Sequence, residues 1–354
     1  MLVRSHGGKP PRGVLDFSTP LNPLGPPPAI AEAISRLALD SGLRYPDYSY
    51  RDFRAAVAGY YEIDPGLVVP LNGAAEALQL ALAAFKPRAL VSVEPTFGDH
   101  GFTVTRLGIP WITVPLGHRR GEYVFDPSLV CSIPGGLRRG SLLLLSNPDN
   151  PTGSLASPKT IVEAAECMEE GVVLLDEAFM DLAPIDGYSL LGRAPGNLVV
   201  VRSLTKSLAV PGLRIGFAYA GDKRLAELLE AARQPWNVNT LASRITVEAL
   251  TVHRGETRSH IERARGLIRR EAAWLGEALA SLGMVVYRSM APFILVYHPQ
   301  ARHPGLQAEL NRRGVHVRDA SSFAYLTPYH SRVSVRLRRE NQVLLEAFKD
   351  VLGG

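Results

Sequence analysis

Cysteine is nearly absent from this 354-residue chain; Cys131 and Cys167 are the only two. Both sit among apolar neighbours and lack metal-site spacing, so the sequence predicts two buried thiols in a reducing cytoplasm and no metal. Long apolar runs are missing too. No stretch approaches the length needed to span a bilayer. The opening "MLVRSHGGKPPRGVLDF" has no apolar core, so no secretory signal is expected. A basic stripe of the kind that grips nucleic acid is also lacking. The clusters "HRR", "IRR", "NRR" and "RLRRE" are interleaved with Glu or apolar residues and read as solvated faces, so neither nucleic acid nor membrane is an expected partner. A formal charge of +5 still suits an anionic small substrate. Lysine is the last scarcity. Six lysines stand among 39 basic residues, so arginine is the default cation and each lysine invites a reason.

What is present is a globular chain. Hydrophobic residues make up 46% and charged residues 21%, with enough length for two domains. Residues 1–50 are rich in Pro and Gly and read as an extended arm with one short helix near Ala29–Leu39. Residues 51–250 alternate apolar runs with helical patterns. The runs are Ala89–Val93, Ser141–Leu145, Val172–Leu175, Leu198–Val201 and Ile215–Ala220. Strands buried on both faces and separated by helices predict a mainly parallel α/β sheet. In residues 251–354 a helix over Arg258–Leu282 precedes "VVYRS", "FILVYH", "GVHVRD" and "RVSVRL". These alternate like an antiparallel sheet with one wet face, and a helix over Glu340–Val351 closes a smaller α+β domain.

Several strands of the larger domain end in polar residues. "LLLLSNPDNPTG" delivers Asn147 and Asn150, "VVLLDEAF" delivers Asp176, and "LVVVRSLTK" delivers Ser203 and Lys206. Ligands of open α/β sheets bind at the carboxyl ends of strands, so these segments are expected to converge. Each residue also has a plainer explanation. Taken alone, Lys206 reads as a surface lysine, Asn150 as part of a turn and Gly73 as a helix N-cap. A pocket lysine, by contrast, has a lowered pKa and attacks carbonyl carbons. Asp176 alone reads as a capping or turn aspartate, but behind four apolar residues it is expected to be buried and then needs a cationic or hydrogen-bonding partner. Gly73, Ala74 and Ala75 at a helix start offer amides to a phosphate, to which Ser203 and Arg214 add a hydroxyl and a cation. Phe97 in "EPTF" is placed to stack on a planar ring or to join the core. Together these groups meet the needs of pyridoxal 5′-phosphate (PLP).

The set "NGAAE", "EPTF", "NPDNPTG", "LLDEAF" and "SLTKSLAVPGLRIGF" resembles the fold-type-I PLP enzymes related to aspartate aminotransferase, over nearly the whole chain. The resemblance implies that fold, with a large PLP-binding domain and a smaller α+β domain. It implies Lys206 as the lysine that bonds the cofactor and serves as base, with Asp176 on the pyridine nitrogen. Asn150 would meet the phenolic oxygen, Phe97 would stack on the ring, and Gly73, Ala74, Ala75, Ser203 and Arg214 would hold the phosphate. It further implies a homodimer in which Tyr45 of "RYPDYSY" reaches the neighbouring cofactor.

Within that family two branches fit, L-threonine-O-3-phosphate decarboxylase of cobalamin synthesis and histidinol-phosphate aminotransferase. "HGG" at His6–Gly8, "LDFSTPLNPLGPP", "RSLTK", "QPWNVNTLA" and "RVSVR" resemble the decarboxylase, as does Phe179 where aminotransferases commonly carry tyrosine. His100, where a tyrosine is frequent, departs from the pattern. The resemblance implies Arg332 as the substrate-carboxylate arginine, with Arg336 on the same strand face. His6, Gly7, Gly8 and Asn22 are candidates for a substrate phosphate. A PLP-sensing regulator is the reading from another class; the arm before the core is too short for the DNA-binding module it would need.

Overall fold

The computed structural model describes residues 7–353. In chain order, β1 (Leu15–Asp16), α1 (Pro28–Gly42) and α2 (Arg51–Tyr61) lead into β2 (Val68–Leu71), α3 (Glu76–Phe85) and β3 (Leu90–Glu94). Next come α4 (Asp99–Arg106), β4 (Trp111–Pro115) and a hairpin of β5 (Gly117–Arg119) and β6 (Glu122–Val124). The short helices α5 (Ser128–Cys131) and α6 (Gly135–Arg138) precede β7 (Leu142–Ser146), α7 (Pro158–Glu166) and β8 (Val172–Asp176). Then follow β9 (Leu198–Arg202), α8 (Leu204–Ser207), β10 (Gly216–Ala220), α9 (Lys223–Ala232), α10 (Thr240–Val247) and the long α11 (Arg254–Ser281). The chain ends with β11 (Val285–Val286), β12 (Phe293–Tyr297), α12 (Gly305–Arg312), β13 (Val315–His316), β14 (Arg318–Asp319), β15 (His330–Ser334) and α13 (Arg338–Leu352). Helix starts follow local chemistry. The side chains of Ser157, Asp222 and Asn239 accept the amides of Thr160, Leu225 and Ala242, capping α7, α9 and α10.

Seven strands form one sheet in the order β2-β10-β9-β8-β7-β3-β4. The five from β9 to β4 run parallel, while β10 is antiparallel to both neighbours. The apolar runs follow from burial on both faces. Leu143, Leu145, Val173 and Val200 pack with Ile30, Phe53, Ile161 and Ile245 on one side. Leu142, Leu144, Leu174 and Val199 pack with Leu78, Ala81 and Leu229 on the other. Each such side chain is worth about 2 kcal/mol of apolar burial, and Ser92, polar in the middle of β3, is buried with its hydroxyl hydrogen-bonded to Glu94 and Trp111.

A second sheet, β11-β12-β15-β14, is antiparallel throughout. The expected wet face is not there; β15 is buried along its whole length and β12 along all but its last residue. Ile294, Val296 and Val333 meet Leu275, Leu344 and Phe348 on one face. On the other, Phe293 packs against Phe179 with ring centroids 5.1 Å apart, and Leu295 joins Tyr287 and Phe323. Alternation therefore marks a change of neighbour rather than contact with water. The amino-terminal segment reaches this region through β1, which pairs in parallel with β13 (Leu15 beside Val315). Its helix, α1, is longer than expected and lies against α10.

The cysteines are a correction. Cys131 ends α5 and Cys167 follows α7, which brings their Cα atoms to 5.2 Å and joins them in a disulfide instead of two thiols. The bond depends on how two helices dock, which a spacing of 36 residues does not reveal. Among the described residues no helix is long and apolar enough to cross a membrane.

Candidate active site

Adjacent strands β9, β8, β7 and β3 deliver Lys206, Asp176, Asn150 and Phe97 from neighbouring carboxyl ends. Lys206 lies on the one-turn helix α8, half-buried, with Nζ 5.4 Å from the centre of the Phe179 ring. Burial, and then the positive fields of Arg332 and Arg214, bring its pKa down to about 8 against the opposing pull of Asp176. Asp176 is pushed up to about 6, chiefly by burial. Its Oδ1 accepts from the Ala178 amide at 2.9 Å; its other oxygen has no hydrogen-bond partner among the described residues.

The phosphate-sized cradle is built from backbone. Gly73 has φ +71°, and a Cβ there would sit 2.9 Å from Cζ of Arg214, so the guanidinium packs directly against the glycine. Gly216 closes the same corner, since its Cβ would stand 2.9 Å from the Ala74 amide nitrogen. The amide of Gly73 is already spent on the Leu71 carbonyl at 2.8 Å. The amides of Ala74 and Ala75 have no such partner, and they precede α3, which starts at Glu76, two residues later than expected. Ser203 Oγ is 2.6 Å from Thr205 Oγ1. Half-buried Phe97 meets His100 edge-on at 5.4 Å. His100 is buried, Nδ1 has no partner, and burial brings its pKa down to about 4.

On the small-sheet side, Arg332 donates through Nη1 to Asn150 Oδ1 and through Nη2 to the Ser18 carbonyl at 2.5 Å. Holding Asn150 by its oxygen leaves the NH2 end as the free donor. Arg332 is buried, and its pKa falls to about 9, first through burial and then through Arg318. Arg318 stands directly opposite it in the β14–β15 register. Arg318 is also buried, donates to Ser322 Oγ at 2.7 Å, and lies 5.2 Å from the centre of the Phe323 ring. Sequence reasoning missed Arg318; the signal was a second arginine in "HVRD", on a strand able to pair with "RVSVR".

The other expected site residues divide. Gly8 donates to Ser18 Oγ at 2.8 Å, and a Cβ on Gly7 would stand 2.5 Å from the Ser18 carbonyl oxygen that also receives Arg332. His6 lies outside the described residues. Asn22 is drawn to the lysine turn: its amide donates to Lys206 O at 3.0 Å and its Nδ2 to Ser207 O at 2.9 Å. Arg336 pairs with Glu340 at 2.6 Å and donates to Asp16 O at 3.0 Å, which ties the arm to α13. Tyr45 is 81% exposed and packs at a tilt against Trp236, with ring centroids 4.8 Å apart.

These residues fit PLP. A lysine near neutrality faces the carbon of an aldehyde, a carboxylate with an open oxygen suits a protonated ring nitrogen, and a glycine–arginine corner with two free amides suits a phosphate. Residues 12–348 match the family described as Aminotransferase class I and II. A threonine-phosphate decarboxylase of Salmonella typhimurium is 29% identical, over 98% of this chain and 93% of its own. A histidinol-phosphate aminotransferase of Symbiobacterium thermophilum is 32% identical, over 94% and 89%. The crystal structure of L-threonine-O-3-phosphate decarboxylase from Porphyromonas gingivalis superposes with a TM-score of 0.82 at 22% identity, covering 96% of this chain and 99% of that one. The chain belongs to the aminotransferase class I and II family, has the fold of aspartate aminotransferase, and is a PLP enzyme.

Proposed function

We propose that this enzyme decarboxylates L-threonine O-3-phosphate, releasing CO2 and leaving aminopropanol phosphate for cobalamin synthesis. The observation that carries the reading is the buried, register-paired Arg318 and Arg332, with the Gly7–Gly8 segment docked on Ser18 beside them. Two guanidiniums facing each other across strands concentrate positive charge, which Asp319 beside Arg318 and Asp16 beside Arg332 offset in part, so further negative charge is favourable there. A substrate with both a carboxylate and a phosphate supplies that charge. The names of relatives support the same class, as does Phe179, which sets an apolar ring rather than a hydroxyl beside Lys206.

When bound, the cofactor supplies an electron sink for the bond broken at Cα. The protein's own groups do the rest. Lys206 receives the cofactor and gives a proton to Cα in place of the departing carboxylate. Asp176 keeps the ring nitrogen protonated, and the amide of Asn150 donates to the phenolic oxygen. Arg332 and Arg318, with the amino-terminal segment, would hold the anionic groups so that the Cα–carboxylate bond is the one oriented for cleavage. Histidinol-phosphate transamination is the second reading, favoured by the Symbiobacterium relative. It uses the same groups with Cα–H in that position.

One pair of assays on PLP-loaded protein decides. L-Threonine O-3-phosphate is supplied in one and CO2 is followed; histidinol phosphate with 2-oxoglutarate is supplied in the other and glutamate is followed. CO2 without glutamate is the expected result, and glutamate without CO2 moves the enzyme to the transaminases. Lys206→Ala should fold and lose all turnover in either case; an active variant contradicts the site.

The active unit in this reading is a homodimer. Tyr45, Tyr48 and Trp236 form an exposed aromatic patch, with Tyr45 and Tyr48 both against the Trp236 ring. A patch of that kind on a folded chain marks an interaction surface, and it would carry Tyr45 to the partner's cofactor phosphate.

A further inference from the structure

The residues flanking the site on β8 and β9 are as charged as the site itself, and buried more deeply. Glu177, next to Asp176, is fully buried; Arg202, next to Ser203, is 4% exposed. Glu177 directly follows the last residue of β8 and Arg202 is the last residue of β9, so this second pair sits at the same strand ends as the first. Arg202 Nε stands 3.1 Å from Glu177 Oε2. Glu177 also accepts from the Leu190 amide at 2.8 Å and Ser189 Oγ at 2.7 Å. Arg202 reaches Ser189 Oγ at 2.8 Å and pairs with Asp181, which accepts from Tyr61 O–H at 2.9 Å. Each charge in the cluster has an opposite charge beside it, although Arg202 Nε makes no hydrogen bond of good geometry.

Buried ion pairs contribute little net stability, because desolvation cancels most of the attraction, and apolar substitutes often serve as well. A purely structural account therefore leaves this cluster without a reason. Its position supplies one. We propose that Arg202 and Glu177 are positioning residues for the cofactor: their ion pair fixes the spacing between the ends of β8 and β9, hence between Asp176 and Ser203, and their opposed charges set the potential at Asp176 and Lys206. The main-chain register agrees, since the Glu177 amide donates to the Val201 carbonyl at 2.9 Å, directly beside the Arg202 link. Glu177 also stands among the groups that raise the proton affinity of Asp176, while Arg202 holds the carboxyl of Glu177 itself down against burial.

The proposal rests on Asp176 meeting the ring nitrogen, and the test separates the two. The readout is a pH titration of the visible absorption of holoenzyme, which reports protonation at the Lys206 nitrogen, taken with the split between kcat and KM. Removing a buried anion makes the site more positive and favours proton loss; removing a buried cation does the reverse. Glu177→Gln should lower the midpoint and Arg202→Met should raise it, each by on the order of one pH unit for charges several ångströms away. The double variant Glu177→Gln/Arg202→Met should return close to the parent, and kcat should fall more than KM rises in both single variants. Shifts of one sign, or no shift in Glu177→Gln, overturn the proposal. That near-isosteric change keeps the test decisive even if Arg202→Met fails to fold. Asp176→Asn is the control on the premise: parental spectra and turnover in that variant would sink the placement of Asp176 itself.

Discussion

Lys206 shows how much one side chain owes to its surroundings. Burial and two arginines oppose its charge, and only Asp176 favours it, so its pKa falls to about 8. The neutral amine is the nucleophile, which gives a direct expectation for cofactor-free protein. Its rate of PLP uptake should rise with pH and level off above about 8, whereas an ordinary lysine would keep gaining reactivity beyond pH 10. Stopped-flow absorbance checks this, and a midpoint near 10 would contradict the environment described. The residues that interrupt apolar runs were legible in the sequence: Lys206, Asp176 and Asn150 stand where a buried strand must stop. Arg318 was not legible, because an arginine in an alternating strand looks solvated until its register partner is known. The amide of Gly73 was misjudged for a similar reason, since its bond to Leu71 depends on the turn between them.

At the scale of elements, the parallel strands declared themselves because helices cover both their faces. Two strands of the same sheet did not. In β2, "VVPL" is interrupted by Pro70, and β4 is a half-exposed edge strand whose pattern is diluted by water-facing residues. The cysteine pairing was illegible for a different reason, because it belongs to the docking of α5 and α7 and to neither helix alone. The disulfide closes a loop across 36 positions, and chain entropy assigns such a cross-link roughly 4 kcal/mol. Cys131→Ser/Cys167→Ser should therefore lower the denaturant midpoint clearly while leaving the PLP spectrum unchanged, because the bond lies away from the strand ends that bear Lys206 and Asp176. Equal midpoints for parent and double variant, each measured without reductant, would show that the bond does not form or does not constrain the unfolded chain.

At the scale of the whole molecule, the proposed site draws on both sheets. Lys206, Asp176 and Asn150 come from one, and Arg318 and Arg332 from the other. The exposed Tyr45–Trp236 pair extends this sharing to a second copy in the proposed dimer. Trp236→Glu puts a charge in the middle of that patch. Sedimentation should then report a monomer, and PLP should be lost more readily on dialysis because the phosphate loses its Tyr45 contact. A variant that stays dimeric would place the interface elsewhere.

The pairing of β1 with β13 joins residues 300 positions apart, Leu15 and Val315. Ribosomes extend a chain by roughly 5–20 residues per second, so the first strand made waits about 15 to 60 s for its mate. The lysine turn, which Asn22 grips, is synthesised about a hundred residues earlier than that mate. A nascent chain thus passes through an interval in which Lys206 and its cradle exist while Arg318 and Arg332 do not. In the proposed function, the groups that would hold the cofactor are therefore made before those that would hold the substrate.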